Sequence, residues 1–256
     1  TWSALLYYMK REIPAYVQEN DKRHIARADY ICGVSYDSIE YVKRFLLPDR
    51  RFDMVYNPIE NNLFSNIQTS DYPEAKTILF FGKIDKRKGA YSLARAFNLV
   101  ADNVPQAELV YVGYGEQEQV MNDVSPEYRN RVVFKGFMTR QELMNEIDNA
   151  FLCVLPSYFE TFAMAALEVA ARGRALLFSE INTGKELIDD GNTGWLIHPD
   201  NTEHIADTII YAFEHPQETS QIARAGYEKC KSEFSTEVII PQLEKYYQNI
   251  IDNKTK

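Results

Sequence analysis

The sequence has few cysteines, few histidines and no apolar run long enough to cross a bilayer. Its three cysteines do not have the spacing of a metal site, and Cys32 and Cys153 lie in apolar runs typical of buried strands. An odd number of cysteines in such positions indicates reduced thiols, and because no signal peptide is recognisable we expect a cytoplasmic protein. The four histidines form no ligand cluster, and no Ser-His-Asp or Cys-His arrangement can be argued from them.

Positive charge is also scarce. Lys and Arg number 28 against 37 Asp and Glu, which gives a formal net charge of −9. We therefore expect no nucleic-acid partner and no electrostatic attachment of this part of the chain to a membrane. The 256 residues, 45% of them hydrophobic, suffice for one large globular domain or for one domain and part of another.

Short apolar runs alternate with segments of helical period from residue 77 onward. The apolar runs cover residues 77–84, 107–113, 131–136, 150–156, 174–179 and 194–197, and helical stretches follow at about 201–215, 217–233 and 236–252. Strands joined by helices cannot form hairpins, so the pattern predicts an α/β domain with a doubly wound, Rossmann-like parallel sheet. Ligands of such sheets bind at the carboxyl ends of the strands.

Residues 1–70 have a different pattern, with one helix at the start, strands at 30–34 and near 52–56, and a helix around 36–46. Two strands are too few for an independent parallel domain. We expect this segment to be the end of a second α/β domain, on the acceptor side, whose beginning lies outside the sequence. The expected boundary is Asp71-Tyr72-Pro73, and residues 71–256 form the other domain.

Two loops at predicted strand ends could bind an anion or another small ligand. In FFGKIDKRKGAYSL, residues 80–93, a basic loop leads from Gly82 to a helix that opens at Gly89. A helix N-terminus beside cations is a ready anion site, although a solvated basic loop is the alternative for any one lysine. In VGYGEQEQ, residues 112–119, Gly113 and Gly115 permit close backbone approach, but the spacing alone favours a simple turn.

Two glutamates, Glu160 and Glu168, lie in the apolar, alanine-rich stretch of residues 157–179. On one continuous helix they would be separated by a rise of about 12 Å, too far for a shared-proton dyad. We therefore expect Glu160 on a loop, a helix start at Thr161 or Phe162, and Glu168 inside the helix. Helix-terminus preference for Glu160 and pairing of Glu168 with Arg172 are the alternatives to binding a ribose diol or a sugar.

Together these segments resemble the donor half of the retaining GT-B glycosyltransferases, the group often called family 4. The match is most specific where the sequence is similar to that family's P-S-x-x-E-G-F-G with E-x7-E, and it covers nearly the whole chain. The matching segments are Gly82-Lys83-Ile84, Lys88-Gly89 with Leu93, Val112-Gly113-Tyr114-Gly115, Val133-Phe134-Lys135-Gly136-Phe137, Pro156-Ser157, Glu160-Thr161-Phe162-Ala163 with Glu168, Asp190-Gly191 to Pro199, and residues 27–35 and 54–64.

The resemblance implies a role for each matched residue. Lys83 and Lys88 would hold the donor diphosphate, Glu168 the ribose hydroxyls and Glu160 the transferred sugar, with Glu160, Lys83 and Lys88 forming the catalytic group. The whole donor site would comprise Gly82, Lys83, Lys88, Gly113, Gly136, Phe137, Glu160, Thr161, Phe162, Ala163 and Glu168, with Phe162 and Ala163 at the phosphate or sugar and Gly136-Phe137 at the base.

Three departures from the family pattern leave the donor's identity open. Lys83 replaces an arginine and so lacks its bidentate fork, Thr161 and Ala163 replace two glycines, and Asn57-Pro58 replaces Asn-Gly.

The resemblance implies a retaining hexosyltransferase of polysaccharide biosynthesis, without metal or other cofactor. It would move a sugar from a nucleotide-sugar donor to a saccharide or lipid-linked acceptor, and any membrane contact would belong to the part of the protein that precedes this sequence. Two alternatives stay open: a sugar-nucleotide epimerase or hydrolase of the same fold, and a nucleotide-sugar-binding module without chemistry.

Overall fold

The computed structural model describes residues 12–64, 72–181 and 183–254. The N-terminal described segment contains a small parallel sheet of two strands, and the remainder is built on a parallel sheet of six strands. Asp71, part of the expected domain boundary, and most of the first expected helix lie outside the described residues. Tyr72 already belongs to the six-stranded body, because its hydroxyl donates to the carbonyl oxygen of Phe151 at 2.5 Å.

The N-terminal segment contributes two helices and two very short strands. These are α1 (Ala15–Ala26), β1 (Cys32–Gly33), α2 (Tyr36–Phe45) and β2 (Asp53–Met54), followed by a 3-10 turn at Asn61–Leu63. Helix α2 begins where the sequence suggests, because the Ser35 side chain caps it by accepting from the amide of Ser38 at 3.2 Å.

Strands and helices alternate through the rest of the chain, as the sequence pattern predicts. The strands are β3 (Thr77–Phe81), β4 (Glu108–Val112), β5 (Val132–Phe134), β6 (Leu152–Leu155), β7 (Ala175–Ser179) and β8 (Trp195–Ile197). The helices between them are α3 (Ala90–Asn103), α4 (Gln117–Asn122), α5 (Arg140–Asn149), α6 (Met164–Ala171) and α7 (Gly184–Leu187), with a 3-10 turn at Pro126–Arg131. Three helices close the chain: α8 (Thr202–Glu214), α9 (Pro216–Phe234) and α10 (Thr236–Lys254).

The six strands are all parallel and lie in the order β5-β4-β3-β6-β7-β8, which confirms the predicted doubly wound α/β class. The order reverses direction between β3 and β6. In sheets of this kind the loops that leave the two central strands diverge, one to each face, and a crevice opens between them. By this rule the ligand crevice is expected at the edge of the sheet where the loops after β3 and β6 leave it.

Both faces of the sheet are covered, which explains why its strands are continuous apolar runs. Alternate residues of β3 enter the two cores: Ile78 and Phe80 pack on the side of α3 and α8, and Leu79 and Phe81 on the side of α6 and α9. All four are at least nine-tenths buried. The strand ends at the crevice are therefore fixed by packing on both sides.

Candidate functional site: the crevice between the central strands

The loops after β3 and β6 are in direct backbone contact. The amide of Tyr158 donates to the carbonyl oxygen of Arg87 at 2.8 Å. Gly89 has φ 76°, and a Cβ atom placed on it would overlap the carbonyl oxygen of Pro156, so only glycine fits where the loops meet. Helices α3 and α6 begin at Ala90 and Met164, just beyond these loops, and direct the positive ends of their dipoles to the same edge of the sheet.

An ion pair joins the two loops. Nζ of Lys88 lies 2.5 Å from Oε1 of Glu160, and the Ser157 hydroxyl donates to the same oxygen at 2.8 Å. The Lys88 side chain is only 22% exposed, so the alternative of a solvated lysine does not apply to it. Among the described contacts none involves Oε2 of Glu160, and that oxygen is open to a further donor.

Lys83 differs from Lys88 in its exposure. Its ammonium group is 3.5 Å from Oδ2 of Asp85, and more than half of its side chain is exposed to solvent. Asp85 also accepts from the amide of Lys88 at 2.9 Å, so this carboxylate shapes the loop that carries both cations. Lys83 thus lies on the exposed side of the loop after β3, whereas Lys88 of the same loop is mostly buried against Glu160 of the loop after β6.

Helix α6 begins later than the sequence suggested. The expected start at Thr161 or Phe162 is wrong: the first helical residue is Met164, and Ala163 caps it with φ 58° and ψ 58°. Two physical reasons account for the difference. A left-handed residue cannot continue a right-handed helix, and the carbonyl of Thr161 accepts a hydrogen bond from the Ser35 hydroxyl at 2.9 Å.

The Glu168 carboxylate, on α6, makes few polar contacts with the described residues. Its side chain is 20% exposed, and no donor from the described residues lies within hydrogen-bond distance of its carboxylate. The nearest cation is Nη2 of Arg140, 4.0 Å from Oε1. Burial raises the pKa of this carboxyl, while the Arg140 charge lowers it and Glu60 raises it further.

Pairing of Glu168 with Arg172, the alternative left open by the sequence, is wrong. Arg172 forms an ion pair with Asp148 and donates to the carbonyl oxygen of Leu63 at 3.0 Å. One turn of helix separates the two residues, but the guanidinium turns to Asp148 at the end of α5. The local i, i+4 rule is overridden by a tertiary partner.

The glycines at the ends of β3 and β4 bring the loops together. The amide of Gly113 donates to the carbonyl oxygen of Gly136 at 2.7 Å, and a Cβ atom on Gly113 would overlap the carbonyl oxygen of Gly82. The close approach that Gly113 permits is thus an approach to the backbone of Gly82. Phe137 follows this cluster with 81% of its surface exposed, an unusual amount for a phenylalanine.

The sequence gives no clear signal for the contacts of three residues at the site, although Ser35 ends the matched segment of residues 27–35. Ser35 holds the Thr161 carbonyl, and Glu186 on α7 accepts from the amides of Tyr36 and Asp37 at 2.9 Å each. Arg140 reaches Glu168 from the first turn of α5. Each contact joins segments far apart in the chain, so spacing rules cannot find it. The capping box of Thr139 and Glu142, which fixes the start of α5, is the one local signal near Arg140.

A cavity of about 160 Å³ lies on the side of the β6–α6 loop that faces the N-terminal segment. Its lining includes Cys32, Ser38, Phe159, Glu160 and Thr161. Over the described ranges, no group of three or more His, Cys, Asp or Glu side chains comes together as a metal site would require. In the same residues no helix combines the length and apolarity needed to span a bilayer.

Solved structures of the GT-B type have a similar fold. Sucrose-phosphate synthase from Thermosynechococcus elongatus superposes with a TM-score of 0.85 at 22% identity, over 99% of this chain and 67% of that one. Anabaena HepE in complex with UDP and glucose superposes with a TM-score of 0.80 at 19% identity, over 93% and 68%. The fold is therefore the GT-B fold.

Sequence comparison adds the family. Residues 65–229, more than half of the chain, match the family described as glycosyl transferases group 1, and the chain belongs to it. It is 27% identical to glycogen synthase from Mycobacterium tuberculosis over 164 residues, 63% of this chain and 40% of that enzyme. It is 24% identical to a lipopolysaccharide 1,2-N-acetylglucosaminetransferase from Salmonella typhimurium over 261 residues, 97% of this chain and 68% of the relative. The chain thus spans less than half the length of the glycogen synthase.

Proposed function

We propose that the chain is the donor-binding half of a retaining glycosyltransferase, which transfers a hexosyl group from a nucleotide-sugar donor to a saccharide or lipid-linked acceptor. The observation that carries the proposal is the Glu168 carboxylate on α6, four-fifths buried without a hydrogen-bond donor from the described residues. A carboxylate in that situation is costly until a ligand supplies donors. The paired hydroxyls of a ribose are such donors.

The diphosphate would lie between the two central loops. Lys88 and Lys83 supply positive charge there, and the N-termini of α3 and α6 add the partial positive charge of their dipoles. Gly82, Gly113 and Gly136 are close to this edge, and Phe137 beyond them offers a face to the base. The backbone at Thr161, Phe162 and Ala163 would border the phosphate and the sugar.

Catalysis would come from stabilising the charge that develops on the departing diphosphate while the anomeric carbon becomes cationic. Lys88 is the principal cation, since it lies inside the crevice. Glu160 shares one oxygen with Lys88 and Ser157, and its second oxygen would accept from a hydroxyl of the transferred sugar. No protein nucleophile is assigned, and the reaction is proposed to proceed without a metal, with Lys83, Lys88 and the start of α3 supplying the stabilising charge.

The relatives support transfer chemistry and a nucleotide ligand. A glycogen synthase, a lipopolysaccharide N-acetylglucosaminetransferase and a phosphatidyl-myo-inositol mannosyltransferase are among the similar proteins, and the HepE structure holds UDP and glucose. Saccharide and lipid-linked acceptors both occur among their names. The proposal therefore gives the acceptor as a saccharide or a lipid-linked molecule.

The two glutamates provide the test. Glu168→Gln is expected to weaken binding of the free nucleoside diphosphate by about 1.5–3 kcal/mol, since a charged hydrogen-bond acceptor for the ribose is lost. Glu160→Gln is expected to leave that binding no weaker and to reduce sugar transfer by the full-length protein, because its contact is to the sugar. Calorimetry with UDP, GDP and ADP measures the first effect, and a transfer assay measures the second.

Glu228→Gln, at an exposed position of α9, is the matched control for both variants. If Glu160→Gln weakens the free nucleotides as much as Glu168→Gln does, the assignment of the two roles is wrong. If none of the three nucleotides binds the unaltered chain, the proposed function is wrong. Hydrolysis of the donor without transfer would favour the hydrolase alternative.

A further inference from the structure

Arg140 lies between two carboxylates that come from different parts of the chain. Its Nη1 donates to Oε1 of Glu60 at 2.9 Å, and its Nη2 lies 4.0 Å from Oε1 of Glu168. Glu60 precedes the six-stranded body, Arg140 begins α5, and Glu168 is within α6. One guanidinium therefore connects the N-terminal segment to the carboxylate that carries the proposed function.

The backbone next to Glu60 and the helix turn that carries Arg140 are both held in place. Ile59, next to Glu60, is fully buried, and its amide and carbonyl bond the backbone of Phe234 and Thr236 at 2.8 and 3.1 Å. At Arg140 itself, the capping box of the preceding Thr139 fixes the first turn of α5. The backbone that carries each partner is thus fixed, although the side chains of Arg140 and Glu60 are 49% and 53% exposed.

The difference between the two distances is the informative feature. A separation of 2.9 Å is a hydrogen bond, which orients the guanidinium on Glu60. A separation of 4.0 Å is an ion pair that uses none of the acceptor positions of Glu168. The arginine consequently supplies charge to Glu168 and leaves both carboxylate oxygens available to the two hydroxyls of a ribose.

We propose that Arg140 is a positioning residue for the nucleotide: oriented by Glu60, it holds the Glu168 carboxylate toward the crevice without occupying its oxygens. The inference rests on the proposed function for the identity of the ligand, while the effect of Arg140 on Glu168 stands independently of it. Arg172, at the C-terminal end of α6, is paired with Asp148 instead. Arg140 and Glu60 are the two charges that act on the pKa of Glu168.

The first experiment follows Glu168 directly, by nuclear magnetic resonance of carbon-13-labelled glutamate without nucleotide. Arg140→Met is expected to raise the pKa of Glu168, because the neighbouring cation is removed. Glu60→Gln keeps an acceptor for Arg140 but removes a negative charge, and is expected to lower the pKa. Arg140→Lys should restore much of the original titration, and Arg224→Met, at an exposed position of α9, should leave it unchanged.

The second experiment measures binding of UDP, GDP and ADP, and of their 2′,3′-dideoxy analogues, as a function of pH. The ribose hydroxyls need the ionised carboxylate, so affinity falls as the pH drops through the pKa of Glu168. In Arg140→Met this fall is expected at a higher pH and in Glu60→Gln at a lower pH. At neutral pH Arg140→Met should weaken the ribonucleotides roughly threefold, the scale of a partly exposed ion pair, and spare the dideoxy analogues.

The outcomes separate the two proposals. An unchanged Glu168 titration in Arg140→Met overturns the inference and leaves the proposed function standing. Equal weakening of ribose and dideoxy ligands also overturns it, since Arg140 would then contact the nucleotide itself. Failure of all three nucleotides to bind the unaltered chain rejects the proposed function, and the titration experiment alone then decides whether Arg140 acts on Glu168.

Discussion

One residue of the β6–α6 loop departs from ordinary backbone preference. Ala163 is the one residue other than glycine with positive φ in the described part of the chain, and the family pattern that the sequence resembles has glycine there. An L-residue in the left-handed region is destabilised by about 1–2 kcal/mol. Its methyl group is nearly buried, however, and alanine restricts the unfolded chain more than glycine does. Strain at positive φ favours glycine at this position, whereas burial of the methyl group and the restricted unfolded chain favour alanine. The two effects are of similar size.

We therefore expect Ala163→Gly to change the free energy of unfolding by less than about 1 kcal/mol, although the position is buried at a helix start. Ala163→Val should lower it by about 1–3 kcal/mol, because a β-branched side chain is strained at positive φ. Urea denaturation of the two variants measures both values. A valine variant as stable as the original chain would contradict the left-handed conformation at residue 163.

Elements that are distant in the sequence meet at the N-terminus of α2. The Glu186 carboxylate on α7 accepts from the amides of Tyr36 and Asp37 and from the hydroxyl of Tyr56, the last at 3.3 Å. Burial, with the added charge of Glu186, raises the pKa of Tyr56 to about 12, so this hydroxyl remains a donor at neutral pH. The same helix start carries Ser35, which holds the β6–α6 loop.

Glu186→Ala is expected to lower the free energy of unfolding by about 1–2 kcal/mol, since two amides at a helix N-terminus lose a charged acceptor. Denaturation with urea gives the total effect, and hydrogen exchange at Tyr36 and Asp37 locates it. Glu228→Ala, exposed on α9, is the control. Unaltered exchange at both amides would show that Glu186 does not cap α2.

The sequence predicts elements of this molecule better than contacts between them. Buried strands with helices between them require a parallel sheet, and the apolar runs of β3 and β6 therefore predict both the fold and the edge at which Lys88 and Glu160 meet. The partner of Glu168 is not predictable in the same way. Arg172, one turn along the helix, is the local candidate, but Asp148 of another element binds it and Arg140 takes its place.

At the scale of the whole molecule, an acidic chain is proposed to bind an anionic donor. The net charge of −9 repels a nucleoside diphosphate at long range, so attraction must come from local groups. Those groups are Lys83, Lys88 and the N-termini of α3 and α6, all at one edge of the sheet. If these groups supply enough positive charge for the diphosphate, no divalent ion is needed to bind it.

If these protein groups suffice, binding of UDP, GDP or ADP and sugar transfer by the full-length protein should both survive chelation with EDTA. Binding should weaken as salt is raised, because Lys83 is exposed and its attraction for the diphosphate is screened within about 10 Å at 0.1 M salt. Calorimetry with and without EDTA, at two salt concentrations, measures both expectations. Loss of binding on chelation, with recovery on adding magnesium or manganese, would contradict metal independence, because the diphosphate would then need a charge that the two lysines and helix ends do not supply.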